Sequence, residues 1–324
     1  MTRLAHTLLL RLLALAAAGL ALQPLAAQAQ DWPTKPVRLI SSFPPGTPGD
    51  VIARLIQPAL QVAWKQSVIV DNKPGAGGNL AALDVAHARD EHTLLVGPDT
   101  ILTINPHLYK KLNIDLRTAL QPVTYLASFN QTLVCNPQAR IESLKAFSQL
   151  PATALYASGG TGSPSHMTME LLLTTQGTQL VHVPYKGPGP AALDVMARHV
   201  DCGFIVSSVV LPYVQSKRLQ AIAVSGQARS VQMPTVPTVA ESGYPGFDAT
   251  FFETLLAPAS MPAARVDQIS RDVRAAIEAP DVKARLAEID LRVEATTPQE
   301  ARRRSEQDYA KWGAVAQRAQ IQLD

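Results

Sequence analysis

Four short segments rich in glycine and proline carry the residues best placed for chemistry. The first runs Phe43-Pro44-Pro45-Gly46-Thr47-Pro48-Gly49-Asp50. Glycine lets backbone approach a ligand closely, proline stiffens the turn, and the helix expected to start at Asp50 offers unpaired N–H groups at its positive end. That environment suits a carboxylate. The second segment, Lys73 to Asn79, could do the same, with Asn79 as helix cap, but it reads equally as a tight turn setting helix against sheet. In the third, Ser158 to Ser165, Ser163 falls at an N-cap with Pro164 at the first helical position, so hydroxyls and free amides gather beside Gly160, Thr161 and Gly162. The fourth, Pro184 to Pro190, brings Tyr185, Lys186 and Gly187 to another helix entrance; Lys186 reads there as a ligand contact or as a solvated surface cation.

Other chemistries find little support. Neither a G-x-G-x-x-G nor a G-x-x-x-x-G-K-[ST] pattern occurs in these loops, so neither a dinucleotide nor a P-loop nucleotide is indicated. The chain has no G-x-S-x-G elbow and no H-E-x-x-H. Its seven histidines are scattered and its two cysteines, Cys135 and Cys202, are far apart. No catalytic residue, metal or cofactor is therefore expected. The nearest approach to an enzyme is a hydrolase using Ser163 and His166, where His166 serves more simply as a cap or packing residue without an orienting acid nearby. Phe43 could line a cleft or pack in a core.

These loops need strands before them and helices after them, and the patterning supplies both. Val37 to Ser42, Val68 to Val70 and Thr93 to Val96 read as strands; helical spacing intervenes from Val51 and from Asn79. Pro58 predicts a kink or a weak turn in the first helix. The order βαβαβ implies a parallel sheet flanked by helices. The pattern restarts with extended runs at Val123 to Ala127, Thr132 to Cys135, Leu155 to Ala157, Val181 to Val183 and Cys202 to Val206, and helical ones at Ile141 to Leu150, Ser165 to Thr175 and Pro190 to Arg198. After strands at Leu219 to Val224 and Phe251 to Leu256 come helices over Ala263 to Ala279 and Pro298 to Gln317. The expectation is a lobe of residues 129–222 inserted into another built from 30–128 and 223–324.

The front end sets the compartment. Arg3, His6 and Arg11, an apolar run to Leu22, and Ala27-Gln28-Ala29 read as a secretory leader cleaved after Ala29. No cysteine lies near the cleavage point, so no lipid anchor on the new N-terminus is expected, and an untethered capture protein fits a periplasm. There the two cysteines could pair, or each could sit buried as a small hydrophobe. Of the 29 Lys and Arg the leader holds two, and it holds no acid, which leaves 27 bases against 26 acids. A surface so nearly neutral gives no footprint for nucleic acid or anionic membrane.

The segments WPTKPVRLISSFPPG, VDNKPGAGGNLAALDVA, TLLVG, INPHLYKKL, YASGGTGSPSHM, HVPYKGPGPAALDVM, LQAIAVSGQARS and PTVPTVAESGYPGF resemble the tripartite tricarboxylate transporter receptor family, the Bug family of periplasmic solute-binding proteins. The resemblance covers essentially all of the chain after the leader. It implies a two-lobed type II periplasmic-binding-protein fold, α/β, with each lobe a mostly parallel sheet and the ligand cleft between them. It implies capture of a small carboxylate-bearing metabolite by a monomer, without catalysis, and delivery to an inner-membrane permease; an orphan receptor signalling to a membrane partner is the alternative. The site it implies is Phe43, Pro45, Gly46, Thr47 and Asp50 in one lobe, with Thr100 after TLLVG and Asn79 beside it. Gly160, Thr161, Gly162, Ser163, Tyr185, Lys186 and Gly187 face them from the other. Two departures stand out. Thr47-Pro48 interrupts the usual successive glycines and removes a backbone donor, which would shift the carboxylate cradle. Val206-Ser207-Ser208 stands where an acid is common, which makes Ser207 a further contact and would favour a more anionic or less amine-bearing ligand.

Overall fold

Each strand–loop–helix unit forms for a local reason, and the first shows it best. Strand β1 (Val37–Ser41) buries all but Arg38, so it reads as an interior strand. The chain then turns through Gly46, whose φ of +83° suits glycine, and enters helix α1 (Pro48–Trp64) with proline at its start. The helix runs on through Pro58, which has no N–H to offer the Arg54 carbonyl one turn earlier. It buries Ile52, Ala53, Ile56 and Leu60 on one face, the spacing that an amphipathic helix over a sheet requires. Its partner strands are β2 (Val68–Asn72) and β3 (Thr93–Pro98), with α2 (Asn79–Ala86) between them. Ile40, Val85, Leu95, Ile101 and Leu256 meet in the core behind this sheet.

The computed structural model describes residues 32–109, 111–321 and 323. The expected leader and its cleavage site after Ala29 lie outside the described residues. Residues 35–324 form one unit; the other contributes Trp32 to Thr34, with a cis Trp32–Pro33 peptide bond.

After β3 the chain forms β4 (Leu120–Phe129), crosses at Asn130, and starts a second sheet with β5 (Gln131–Cys135). That sheet adds β6 (Leu155–Ser158), α3 (Pro164–Gln176), β7 (Val181–Pro184), α4 (Pro188–Ala197), β8 (Cys202–Val206), α5 (Ser207–Gln215) and β9 (Gln220–Val224). Its core joins Val134, Ala157, Val195, Ile205 and Val210. The chain returns to the first sheet as β10 (Phe251–Pro258), followed by α6 (Ala263–Ile277), α7 (Pro280–Glu288), β11 (Arg292–Val293) and α8 (Pro298–Arg318). A capping box between Thr297 and Glu300 starts α8, and Trp312 on that helix stacks on Phe251 with ring centroids 4.9 Å apart.

The sheets run β11-β4-β10-β3-β1-β2 and β7-β6-β8-β5-β9. This is the expected two-lobed α/β architecture, with one correction: the sheets are mixed. The βαβ halves are parallel, whereas the crossing and returning strands pair antiparallel. A strand that leaves one sheet and another that comes back run in opposite senses, so they cannot extend a parallel ladder. Three further differences have local causes. Helix over Ile141 to Leu150 shrinks to one turn, Leu144–Phe147. Helix α5 was hidden by Val209, Val210 and Pro212, which disfavour helix. The short α7 and β11 fall where the sequence pattern assigns no element.

The two cysteines settle into neighbouring strands. Cys135 on β5 lies directly opposite Cys202 on β8, and they form a disulfide.

Candidate functional site

Between the sheets lies a cavity of about 450 Å³, its open mouth included. Its walls are Phe43, Thr47, Pro48, Pro98 and Glu253 from the first lobe, Phe129 at the crossing, and Gln131, Gly159, Ser163, Pro164, Ser165, Pro188 and Val206 from the second. Three of these, Pro48, Pro164 and Pro188, are the first residues of α1, α3 and α4. Three helix N-termini from two lobes therefore converge on one space, each bringing partial positive charge. Among the described residues, none that lines the cavity is Lys, Arg or His.

The first loop is more self-contained than its composition suggests. Asp50 is buried; its Oδ2 accepts the Gly46 N–H (2.9 Å), and its Oδ1 accepts from Arg54 Nε (3.0 Å) and Asn72 Nδ2 (2.9 Å). Burial alone would raise the Asp50 carboxyl, but the Arg54, Gly46 and Asn72 bonds outweigh it and hold it below the usual carboxylate range. Thr47 Oγ1 donates to the Pro44 carbonyl (2.7 Å). Asp50 thus organises the loop and does not line the cavity, while Phe43 and Thr47 do. Pro45 and Gly46 are exposed beside it.

In the second lobe the Ser/Gly loop folds back on itself. Ser165 Oγ accepts the Gly159 N–H (2.8 Å) and lies 3.0 Å from Ser163 Oγ. Ser163 caps α3 by accepting the His166 N–H. Gly160 (φ +126°) and Gly162 (φ +77°) shape the turn without lining the cavity, as does Thr161 between them. The Tyr185 hydroxyl donates to Asp194 Oδ2 (2.6 Å), Lys186 is exposed, and the Gly187 N–H donates to the Gly159 carbonyl (3.2 Å). The fourth loop therefore braces the third and reaches the cavity through Pro188.

Of the sequence-predicted residues, Phe43, Thr47 and Ser163 meet at the cavity. Asn79 is buried and accepts from Asn105 Nδ2 (2.7 Å), Thr100 begins a buried helical turn, and Ser207 Oγ sits at the crossing, 2.7 Å from Thr132 Oγ1 and donating to the Asn130 carbonyl (3.1 Å). These three hold structure together and do not reach the cavity. Ser165, at the end of the third segment, lines the cavity as well, whereas sequence reasoning passed over Gln131 and Glu253. A signal for Glu253 existed: it is the lone acid inside the apolar run Phe251–Pro258.

Beneath the Ser/Gly loop, His166 and His182 stack with centroids 4.0 Å apart. His166 Nδ1 accepts the Gly162 N–H (3.0 Å) and Nε2 lies 3.7 Å from Glu170 Oε1; His182 Nε2 lies 2.6 Å from Ser158 Oγ. Burial, reinforced by His182, pushes His166 down to about 3, and burial pushes His182 down to about 4. The His166 ring accepts from the Gly162 N–H and faces Glu170, while the Ser163 hydroxyl is engaged by the His166 backbone N–H and Ser165 Oγ, so the pair is not arranged as nucleophile and base.

The family described as tripartite tricarboxylate transporter family receptor matches residues 52–321. The chain belongs to this family. It is 30% identical to protein BugT of Bordetella pertussis over 97% of this chain and 98% of BugT. Among solved structures it resembles R. palustris Rpa4515 with adipate, with a TM-score of 0.84 and 29% identity over 90% of this chain and 99% of that one. It also resembles MatC from Rhodopseudomonas palustris with bound malate, with a TM-score of 0.81 and 28% identity over 88% of this chain and 99% of that one. The tricarboxylate transporter receptors are solute-binding proteins, and this member is a solute-binding receptor and not an enzyme. No helix among the described residues is long and apolar enough to cross a membrane.

Proposed function

We propose that this receptor captures a small carboxylate in the periplasm and delivers it, as a monomer, to a tripartite tricarboxylate permease in the inner membrane. The observation that carries this reading is the convergence of α1, α3 and α4 on a cavity that no cationic side chain lines among the described residues. The adipate and malate seen with its structural relatives belong to the same ligand class. Each helix end contributes roughly 0.3 to 1 kcal/mol to an anion when exposed and up to ~2 when partly buried, whereas micromolar capture needs about 8 kcal/mol. The remainder must come from directed hydrogen bonds in the closed cleft. Thr47, Gln131, Ser163 and Ser165 supply the side chains for them, with Phe43 and Phe129 as apolar walls. Export after cleavage at Ala29 fits the Cys135–Cys202 disulfide, which an oxidising compartment maintains.

Thermal-shift screening of residues 30–324 against adipate, malate and other mono-, di- and tricarboxylates tests the reading. At least one carboxylate should raise the melting temperature, and Ser163→Ala should reduce that response. A wild-type chain that responds to amines or neutral sugars and to no carboxylate would refute it.

A further inference from the structure

Among the described residues, Glu253 is the one ionisable residue lining the cavity. It is 4% exposed, and its Oε2 has no hydrogen-bond partner among the described residues. The side chain projects from β10 between β3 and β4, paired with Pro98 on one side and Ala127 on the other. It ends at the start of α1, where a methyl group added to Gly49 would fall 2.7 Å from Oε2. A buried polar atom with no partner, in the wall of a ligand cavity, is an unfilled hydrogen-bonding position.

We propose that Glu253 is a specificity-determining residue of this cleft, donating a hydrogen bond from its carboxyl to an acceptor oxygen of the bound carboxylate. The proposal rests on the carboxylate-receptor reading above.

The surroundings decide the direction of that bond. From α1 the Gly49 N–H is turned toward the carboxyl, while Asp50 on the same helix is committed to Gly46, Arg54 and Asn72. From the end of β3 comes a second buried acid, Asp99, whose Oδ1 accepts the Phe252 N–H (3.2 Å) and whose Oδ2 has no partner. Asp308, Arg304 and Lys311 on α8 act on Asp99, and Tyr125 on β4 lies within the influence of Asp99 and Asp308. Burial first, and then Asp99, raises Glu253 well above the usual carboxylate range. Two neighbouring buried acids do not both ionise where no cation pairs them. A neutral carboxyl accepts from Gly49 with one oxygen and donates with the other. An ionised one could only accept, and would repel an anion held by three helix ends. Specificity follows, because a ligand without an acceptor at that point leaves the buried donor unmatched.

Glutamine reproduces the neutral acid, one acceptor and one donor, and cannot ionise. Calorimetric titration would use adipate, malate and whichever further carboxylate most stabilises the wild type. Glu253→Gln should stay within about threefold of wild type and Glu253→Ala should lose about tenfold or more. Wild-type affinity should fall as pH rises, while Glu253→Gln stays flat. Carboxyl ¹³C NMR of the ligand-free protein, assigned by the resonance missing from Glu253→Gln, should show a neutral acid at neutral pH. Glu253→Ala binding like wild type, Glu253→Gln failing as badly as Glu253→Ala, or an ionised resonance would each overturn the proposal and leave the receptor reading standing. A wild type that binds no carboxylate would remove both, and that result needs no variant.

Discussion

The backbone N–H of Gly46 donates to Asp50 Oδ2 over 2.9 Å, so the loop that begins the cleft is closed by its own acid. The same carboxylate holds Arg54 and Asn72. Asp50→Ala removes the charged acceptor shared by Gly46, Arg54 and Asn72, while Asn72 Nδ2 keeps the Phe43 carbonyl (3.0 Å), and loss of hydrogen bonds to a charged group costs about 1.5–3 kcal/mol. Urea unfolding should register that loss. Because Asp50 sits below its unfolded value, its contribution is present above that value and is lost as pH falls through the folded one. Asp50→Asn should therefore flatten the acid limb of a stability–pH curve, and an unchanged limb would show that the carboxylate does not hold the loop.

That relationship also marks what could be read from the residues alone. The helix entrances were legible: Ser163-Pro164 is an N-cap followed by a first-turn proline, and Gly46 adopts a conformation that few other residues tolerate. The sides of the cavity those turns would share were legible too, as Phe43, Thr47 and Ser163 meet there. What each polar group would bond was not. Asp50, Asn79, Tyr185 and Ser207 have the chemistry of ligand contacts, yet Gly46, Asn105, Asp194 and Asn130 claim them. Those partners lie 4 to 77 positions away in the chain, and only the fold reveals them. Glu253 was missed for the converse reason. An acid in an apolar strand reads as an edge residue, and only the return of β10 between β3 and β4 makes it interior.

The stacked histidines make a pH prediction of their own. His166 and His182 have folded values of about 3 and about 4 against an ordinary 6.5. Between those limits the unfolded chain takes up protons that the native state refuses, so stability falls as pH drops below about 6.5. The decline should continue to about 4 for His182 and about 3 for His166. Chemical denaturation across this window should give a shallower slope for His166→Gln and for His182→Gln than for wild type. Slopes identical to wild type would mean that the rings are protonated in the native protein.

Reduction should weaken the second lobe. The Cys135–Cys202 bond closes a loop with a sequence separation of 67, for which the chain-entropy estimate is about 4 kcal/mol. Cys135→Ala with Cys202→Ala is expected to lower the unfolding free energy from urea titration by an amount of that order, and thiol reductant should do the same to wild type but nothing to the double variant.

Gly49 offers the sharpest test of how the first helix meets Glu253. An alanine methyl there would lie 2.7 Å from Glu253 Oε2 and 3.4 Å from Val96 Cγ1. The second distance is an ordinary contact; the first is not, so the carboxyl must move. Gly49→Ala should cost about 1–3 kcal/mol through that crowding, even though alanine favours a helix over glycine by roughly 0.8–1.0 kcal/mol. Once Glu253 is itself alanine the obstacle is gone, and the same change should be neutral or stabilising. A double-mutant cycle by urea unfolding should therefore show coupling of about 1 kcal/mol or more between positions 49 and 253. Strict additivity would place the Glu253 carboxyl away from the helix end, and with it away from the wall of the cleft.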